Sequence, residues 1–101
     1  MDAQLKRGVL DVLVLKAISK EDSYGYKIIK DLSPIINLSD STLYTILKRL
    51  ILDNMVEVNS IEYEGRLRKY YHITEKGIRE IERFKNEWEE LMKIYSFILE
   101  K

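Results

Sequence analysis

The chain contains no cysteine, which removes disulfides, thiolate metal ligands and cysteine nucleophiles together. That lack is compatible with a reducing, cytoplasmic setting. It has one histidine; His72 stands in an alternating segment with no second imidazole to share a metal, and reads as an ordinary strand residue. With four glycines and one proline, no Gly-rich phosphate loop or Walker pattern arises. No window approaches the roughly 18 apolar residues of a membrane-spanning helix. The early Lys6, Arg7, Asp11 and Lys16 argue against a secretory leader. Net charge is also missing, because 17 Lys+Arg oppose 17 Asp+Glu. No spacing places a nucleophile beside a base, and the pairs Glu62/Glu64 and Glu89/Glu90 read as solvated surface. Together these absences argue against an enzyme and against any metal or cofactor.

What remains is a chain of 101 residues, 46% hydrophobic and 34% charged. That is enough for one domain and, at most, an appended element. From Ala3 to about Lys20, Leu5, Val9, Val12, Leu13, Lys16 and Ala17 fall near one helical stripe. Leu10, Val14, Leu15 and Ile18 widen the apolar surface, so this helix needs cover on more than one side. Ser23 is a candidate N-cap for a short second helix through Leu32, with Tyr24, Ile28, Ile29 and Leu32 inward. Pro34 forbids its smooth continuation. Ser39 caps a third helix, Asp40 to about Asp53, with Asp40 in its positive first turn. Leu43, Ile46, Leu47 and Leu50 point inward. Its other face carries Ser41, Thr42, Tyr44, Thr45, Lys48 and Arg49, hydroxyl-rich and then basic. Asn54 supplies a C-terminal turn residue.

From Met55 the period changes to about 2. Val56, Val58, Ile61 and Tyr63 read as one strand with a bulge at Asn59-Ser60, and Arg68 to Ile73 reads as the next. Glu64-Gly65-Arg66 supplies the hairpin turn, with Asn59-Ser60 a weaker alternative. Arg66, Arg68 and Lys69 make the tip and second strand basic. Thr74 then caps a helix running from about Glu75 to the end. Along it, Ile81, Trp88 and Tyr95 form one heptad column, Phe84, Leu91 and Ile98 a second, and Ile78, Met92 and Leu99 a third. A small monomer has little left to cover so wide a stripe. Dimerisation is the economical reading, with Leu5, Val9 and Val12 of the first helix joining Trp88, Leu91, Met92, Tyr95, Ile98 and Leu99 at the interface.

Three helices, a hairpin and a further helix make a mainly α chain with a small β-hairpin, in the order of a winged helix-turn-helix. The expected division is residues 1–74 as the DNA-binding domain and residues 75–101 as a C-terminal dimerisation helix. A capped helix bearing hydroxyls at its start and Lys48 and Arg49 further on can enter a major groove, while a basic hairpin reaches phosphates or the minor groove. Residues 1–79 hold 13 basic and 11 acidic side chains against 4 and 6 in residues 80–101. The asymmetry has the right sign and is small, so binding would rest on local patches and depend strongly on salt. The competing reading is a winged-helix protein-interaction module that does not touch DNA.

Four segments carry a family resemblance: Leu5-Lys-Arg-Gly-Val-Leu-Asp11, Tyr24-Gly-Tyr-Lys-Ile-Ile-Lys30, Ser41-Thr-Leu-Tyr-Thr-Ile-Leu-Lys-Arg-Leu50 and Arg68-Lys-Tyr-Tyr-His-Ile-Thr-Glu-Lys-Gly77. In succession they resemble the motifs of PadR-type transcriptional regulators. The resemblance implies a homodimeric bacterial repressor whose C-terminal helices build the dimer, and implies that Tyr24, Thr42, Tyr44 and Lys48 face DNA. Lys27, Ser39, Ser41, Thr45, Arg66, Arg68 and Lys69 complete the candidate DNA-binding set on a pseudo-palindromic duplex operator. Two departures stand out: the wing reads Glu64-Gly-Arg-Leu-Arg68 with few glycines, and Thr45 stands where many members carry proline. The short, multidrug-responsive members that this chain resembles have a tryptophan matching Trp88, which flanks a pore that stacks flat aromatic compounds. That implies a pore lined here by Leu5, Val12, Phe84, Trp88 and Met92. Read from its own position, Trp88 is equally a packing residue of the dimer seam.

Overall fold

Six elements follow one another along the chain: α1 (Ala3–Ala17), α2 (Gly25–Leu32), α3 (Asp40–Leu52), β1 (Val56–Tyr63), β2 (Arg66–Ile73) and α4 (Glu75–Leu99). The computed structural model describes all 101 residues. Each long helix starts on a side-chain cap that satisfies an otherwise orphaned backbone donor. Asp2 Oδ1 accepts from the Leu5 amide at 2.9 Å, Ser39 Oγ from Thr42 at 3.2 Å and Thr74 Oγ1 from Gly77 at 3.2 Å. Asn54 adopts φ 62° and turns the chain from α3 into the hairpin.

The core gathers one face from each of α1, α2 and α3 and the base of the hairpin. Val14, Leu15 and Ile18 meet Ile28 and Leu32, then Leu43, Ile46, Leu47 and Leu50, with Val56, Tyr71 and Ile73 closing the far side. Each such side chain contributes roughly 1.5–3 kcal/mol on full burial. The first turns of α4 continue this packing: Gly77 is buried, and Ile81 lies against the core. Beyond them α4 leaves the body, and the molecule measures 63 × 26 × 22 Å. The result is a winged helix with a projecting C-terminal rod. No helix is long and apolar enough to cross a membrane.

Five local expectations are corrected. α1 stops at Ala17 rather than Lys20, because Ile18 caps it and the Ser19 hydroxyl bonds the Lys16 carbonyl at 2.8 Å. Ser23 does not cap α2; Tyr24 holds that position with no side-chain cap bond. Ser23 is instead extended, exchanging backbone hydrogen bonds of 3.2 and 2.7 Å with Tyr71. Two backbone bonds to an otherwise open strand edge outweigh one hydroxyl cap.

The hairpin carries no bulge. Its register runs unbroken from Val56↔Ile73 to Tyr63↔Arg66. Glu64 and Gly65 alone make the turn, with φ 49° and 77°, a primed two-residue turn matched to strand twist. β2 therefore starts at Arg66. Strict alternation puts Val56 and Val58 on the face toward the body and Ile61 and Tyr63 on the opposite one. Finally, Arg49 does not join Lys48 on the outward face of α3. It turns back to form a part-buried ion pair with Asp11 of α1.

Candidate nucleic-acid interface

The start of α3 is a cluster of mutually bonded hydroxyls. Ser39 Oγ donates to Thr42 Oγ1 at 2.9 Å and lies 3.2 Å from Ser41 Oγ, while Thr45 Oγ1 donates to the Ser41 carbonyl at 3.0 Å. All four are exposed, as are Tyr44 and Lys48 on the same helix. Internal bonding holds these groups in fixed orientations and leaves further donor and acceptor capacity pointing outward.

The wing lies alongside. Tyr44, Thr45 and Lys48 of α3 share a groove of about 360 Å³ with Val58 and Lys69 of the hairpin. A second cleft, about 470 Å³, brings Tyr24 and Tyr26 of the α2 entrance next to Tyr44, Arg68 and Lys69. Lys69 Nζ stands 6.0 Å from the centre of the Tyr44 ring. α3, the α2 entrance and the wing thus form one continuous surface carrying Lys48, Arg68 and Lys69, with Arg66 at its tip. Lys27 is engaged within its own helix by Asp31 at 2.6 Å, and that bond raises its pKa. Hydrogen bonding toward Tyr70 does the same for Arg68. Both groups stay cationic at neutral pH.

Residues 14–83 match the transcriptional regulator PadR-like family. The chain belongs to that family. It is a DNA-binding transcriptional regulator, not an enzyme. Among relatives of the PadR-like chain, an uncharacterised protein of Lysinibacillus sphaericus is 32% identical over 99 residues, covering 93% of this chain and 91% of its own. A PadR-like transcription factor from Bacteroides fragilis superposes with a TM-score of 0.86 at 30% identity, covering 95% of each chain. A PadR family transcription regulator from Clostridium difficile gives 0.80 at 31%, covering 90% of this chain and 98% of its own.

The sequence-expected ligand residues of this PadR-like protein are only partly assembled in one chain. Phe84 and Trp88 stack with centroids 5.9 Å apart and planes 11° from parallel. Trp88 and Met92 line an apolar groove of about 430 Å³ on α4 with Leu91, Tyr95 and Ile98. Leu5 and Val12 lie on α1 and do not line that groove.

Two residues beside this surface were absent from the sequence-expected site, Tyr63 and Tyr70. Their rings belong with Arg68 on the outer face of the hairpin. The signal was present: once the turn is placed at Glu64-Gly65, residues 63, 68 and 70 share a face by alternation. A bulge assumed at Asn59-Ser60 concealed it.

Proposed function

We propose that this PadR-like regulator is a cytoplasmic homodimeric repressor, with residues 1–74 binding DNA and residues 75–101 pairing the protomers. The observation that carries the reading is the uncovered distal stripe of α4. Trp88, Leu91, Met92, Tyr95, Ile98 and Leu99 are between 44% and 68% exposed. Contiguous apolar surface of that kind marks an interface, and a second copy covers it with the same residues by a twofold axis. Val9 and Val12 of α1, half-buried beside α4, and Leu5 extend the seam.

In this reading the duplex is a pseudo-palindrome with half-sites about 34 Å apart. Ser39, Ser41, Thr42, Tyr44, Thr45 and Lys48 address the major groove. Tyr24 and Lys27 flank it, and Arg66, Arg68 and Lys69 reach the adjacent backbone. Flat aromatic or hydrophobic molecules enter between the paired rods, against Phe84, Trp88 and Met92 with Leu5 and Val12. Such a ligand releases DNA only by favouring a spacing of the two helices that the operator rejects.

Selection of genomic fragments by the purified protein at physiological salt tests the DNA side, with a single shared symmetric site expected. Sedimentation tests the dimer: the full chain sediments as a dimer and a chain ended after Gly77 as a monomer. Unselective capture, or a truncated chain that still dimerises tightly, overturns the corresponding half. Quenching of Trp88 fluorescence by a panel of flat aromatic compounds tests ligand entry; no response across the panel leaves Trp88 as packing.

A further inference from the structure

The outer face of the wing holds a cation between two rings. The Arg68 guanidinium carbon lies 4.2 Å from the centre of the Tyr24 ring and 4.1 Å from that of Tyr63. Tyr70, the next residue along that face, meets Tyr24 edge-on at 5.5 Å. The two rings belong to different parts of the molecule. Tyr24 is the residue from which α2 starts, inside the helix-turn-helix, and Tyr63 is the last residue of β1 before the turn. Arg68 therefore ties the helical body to the far end of the hairpin.

Few other ties hold that end. Ile61 and Leu67 are exposed, and on the inner face Lys69 approaches Tyr44 only at 6.0 Å. A two-stranded ribbon is barely stable by itself, and its direction follows whatever clamps it. A planar guanidinium stacks on two aromatic faces at once, whereas an ammonium is a compact, strongly hydrated point charge that cannot.

We propose that Arg68 is a positioning residue: stacked between Tyr24 and Tyr63, it sets the angle of the wing relative to α3. Arg66 and Lys69 then meet the duplex at a fixed distance from the recognition helix. DNA affinity depends on the shape of Arg68 beyond its charge. The inference rests on the DNA-binding function of the chain and gives the arginine a part in the wing's geometry in addition to its charge.

The test uses the full-length protein and the duplex it selects, with binding followed by anisotropy and wing amides by hydrogen exchange without DNA. R68K retains the charge and removes the plane. Its affinity should fall about tenfold, and amides of residues 60–69 should exchange faster in the free protein. Y63A should produce the same loss, Y63F should restore affinity to within about twofold by keeping the ring, and R68K/Y63A together should lose no more than either alone. Thermal melts of each variant separate loss of the clamp from loss of fold, since Tyr63 and Arg68 lie outside the core. An R68K protein that binds within about twofold of the unmodified chain, with unchanged exchange, overturns the proposal, as do strictly additive losses in the double variant. A wild-type protein that selects no duplex refutes the DNA-binding reading instead, and the exchange experiment then still decides whether the clamp holds the wing.

Discussion

Asp11 of α1 and Arg49 of α3 form an ion pair across 38 residues of sequence, with Nε 3.5 Å from Oδ2 and Nη2 bonded to Oδ1. Their side chains retain 21% and 19% exposure, so both charges are partly withdrawn from water. The pair fastens α3 to α1, the helix that packs against α4.

Removing one partner leaves the other part-buried without compensation. Asp11→Ala should destabilise the chain by about 1–2 kcal/mol, between the values typical of exposed and of buried pairs. Arg49→Ala in the same background should add little. Urea unfolding of the two single variants and the double variant measures the coupling, and strictly additive losses would show the pair to be idle.

Gly77 is held by space, not by backbone angle. A Cβ there would lie 2.5 Å from the Met55 carbonyl and 2.7 Å from Ile73 Cγ1. That carbonyl already accepts the Thr74 amide at 3.0 Å and cannot yield cheaply. Gly77→Ala should cost about 1–3 kcal/mol through overpacking, against a helix-propensity gain of about 1 kcal/mol. Net destabilisation in a thermal melt is the expected outcome, and a stabilised variant would contradict the packing.

Burial, followed by the neighbouring Tyr44, raises the pKa of the Tyr71 phenol above its ordinary 10.0. A raised pKa means that the folded state holds the proton more tightly than the unfolded state does. The contribution is therefore fully present below about pH 10 and is lost as pH rises through the folded-state value. Unfolding free energy should fall more steeply from pH 10 upward in the wild type than in Tyr71→Phe. Parallel curves for the two proteins would remove Tyr71 from the alkaline transition.

Lys48 is exposed on α3 and makes no ion pair within the chain, so its charge is available to a duplex. Lys48→Gln should weaken DNA binding on every sequence alike and lower the slope of log K against log salt by about one per protomer. A loss confined to one base position would instead make it a base-reading residue. Anisotropy titrations across a salt series distinguish the two.

Helices were legible where the deciding forces are local. Ser39 and Thr74 cap α3 and α4 as their sequence neighbourhoods imply, and Leu43, Ile46, Leu47 and Leu50 are buried as their spacing requires. Reading failed where a distant partner competed. Ser23 offered a plausible cap, but the edge of β2 claimed its backbone. Arg49 shared a helix face with Lys48 until Asp11 drew it inward. In the wing, apolar residues at 56, 58, 61 and 63 gave two conflicting parities, and a bulge was the wrong resolution; the exposed faces of a ribbon impose little hydrophobic alternation, so the turn sets the register.

The order of elements, the caps of α3 and α4, the core face of α3 and the apolar rod of α4 were determined by sequence alone, because each depends on residues within a few positions of one another. Tertiary structure alone decided that the segment before α2 joins the sheet, that Asp11 meets Arg49, and that Arg68 sits between Tyr24 and Tyr63. Those pairings join residues remote in sequence or separated by a turn, and only the packed core and an unbroken register bring them within a few ångströms.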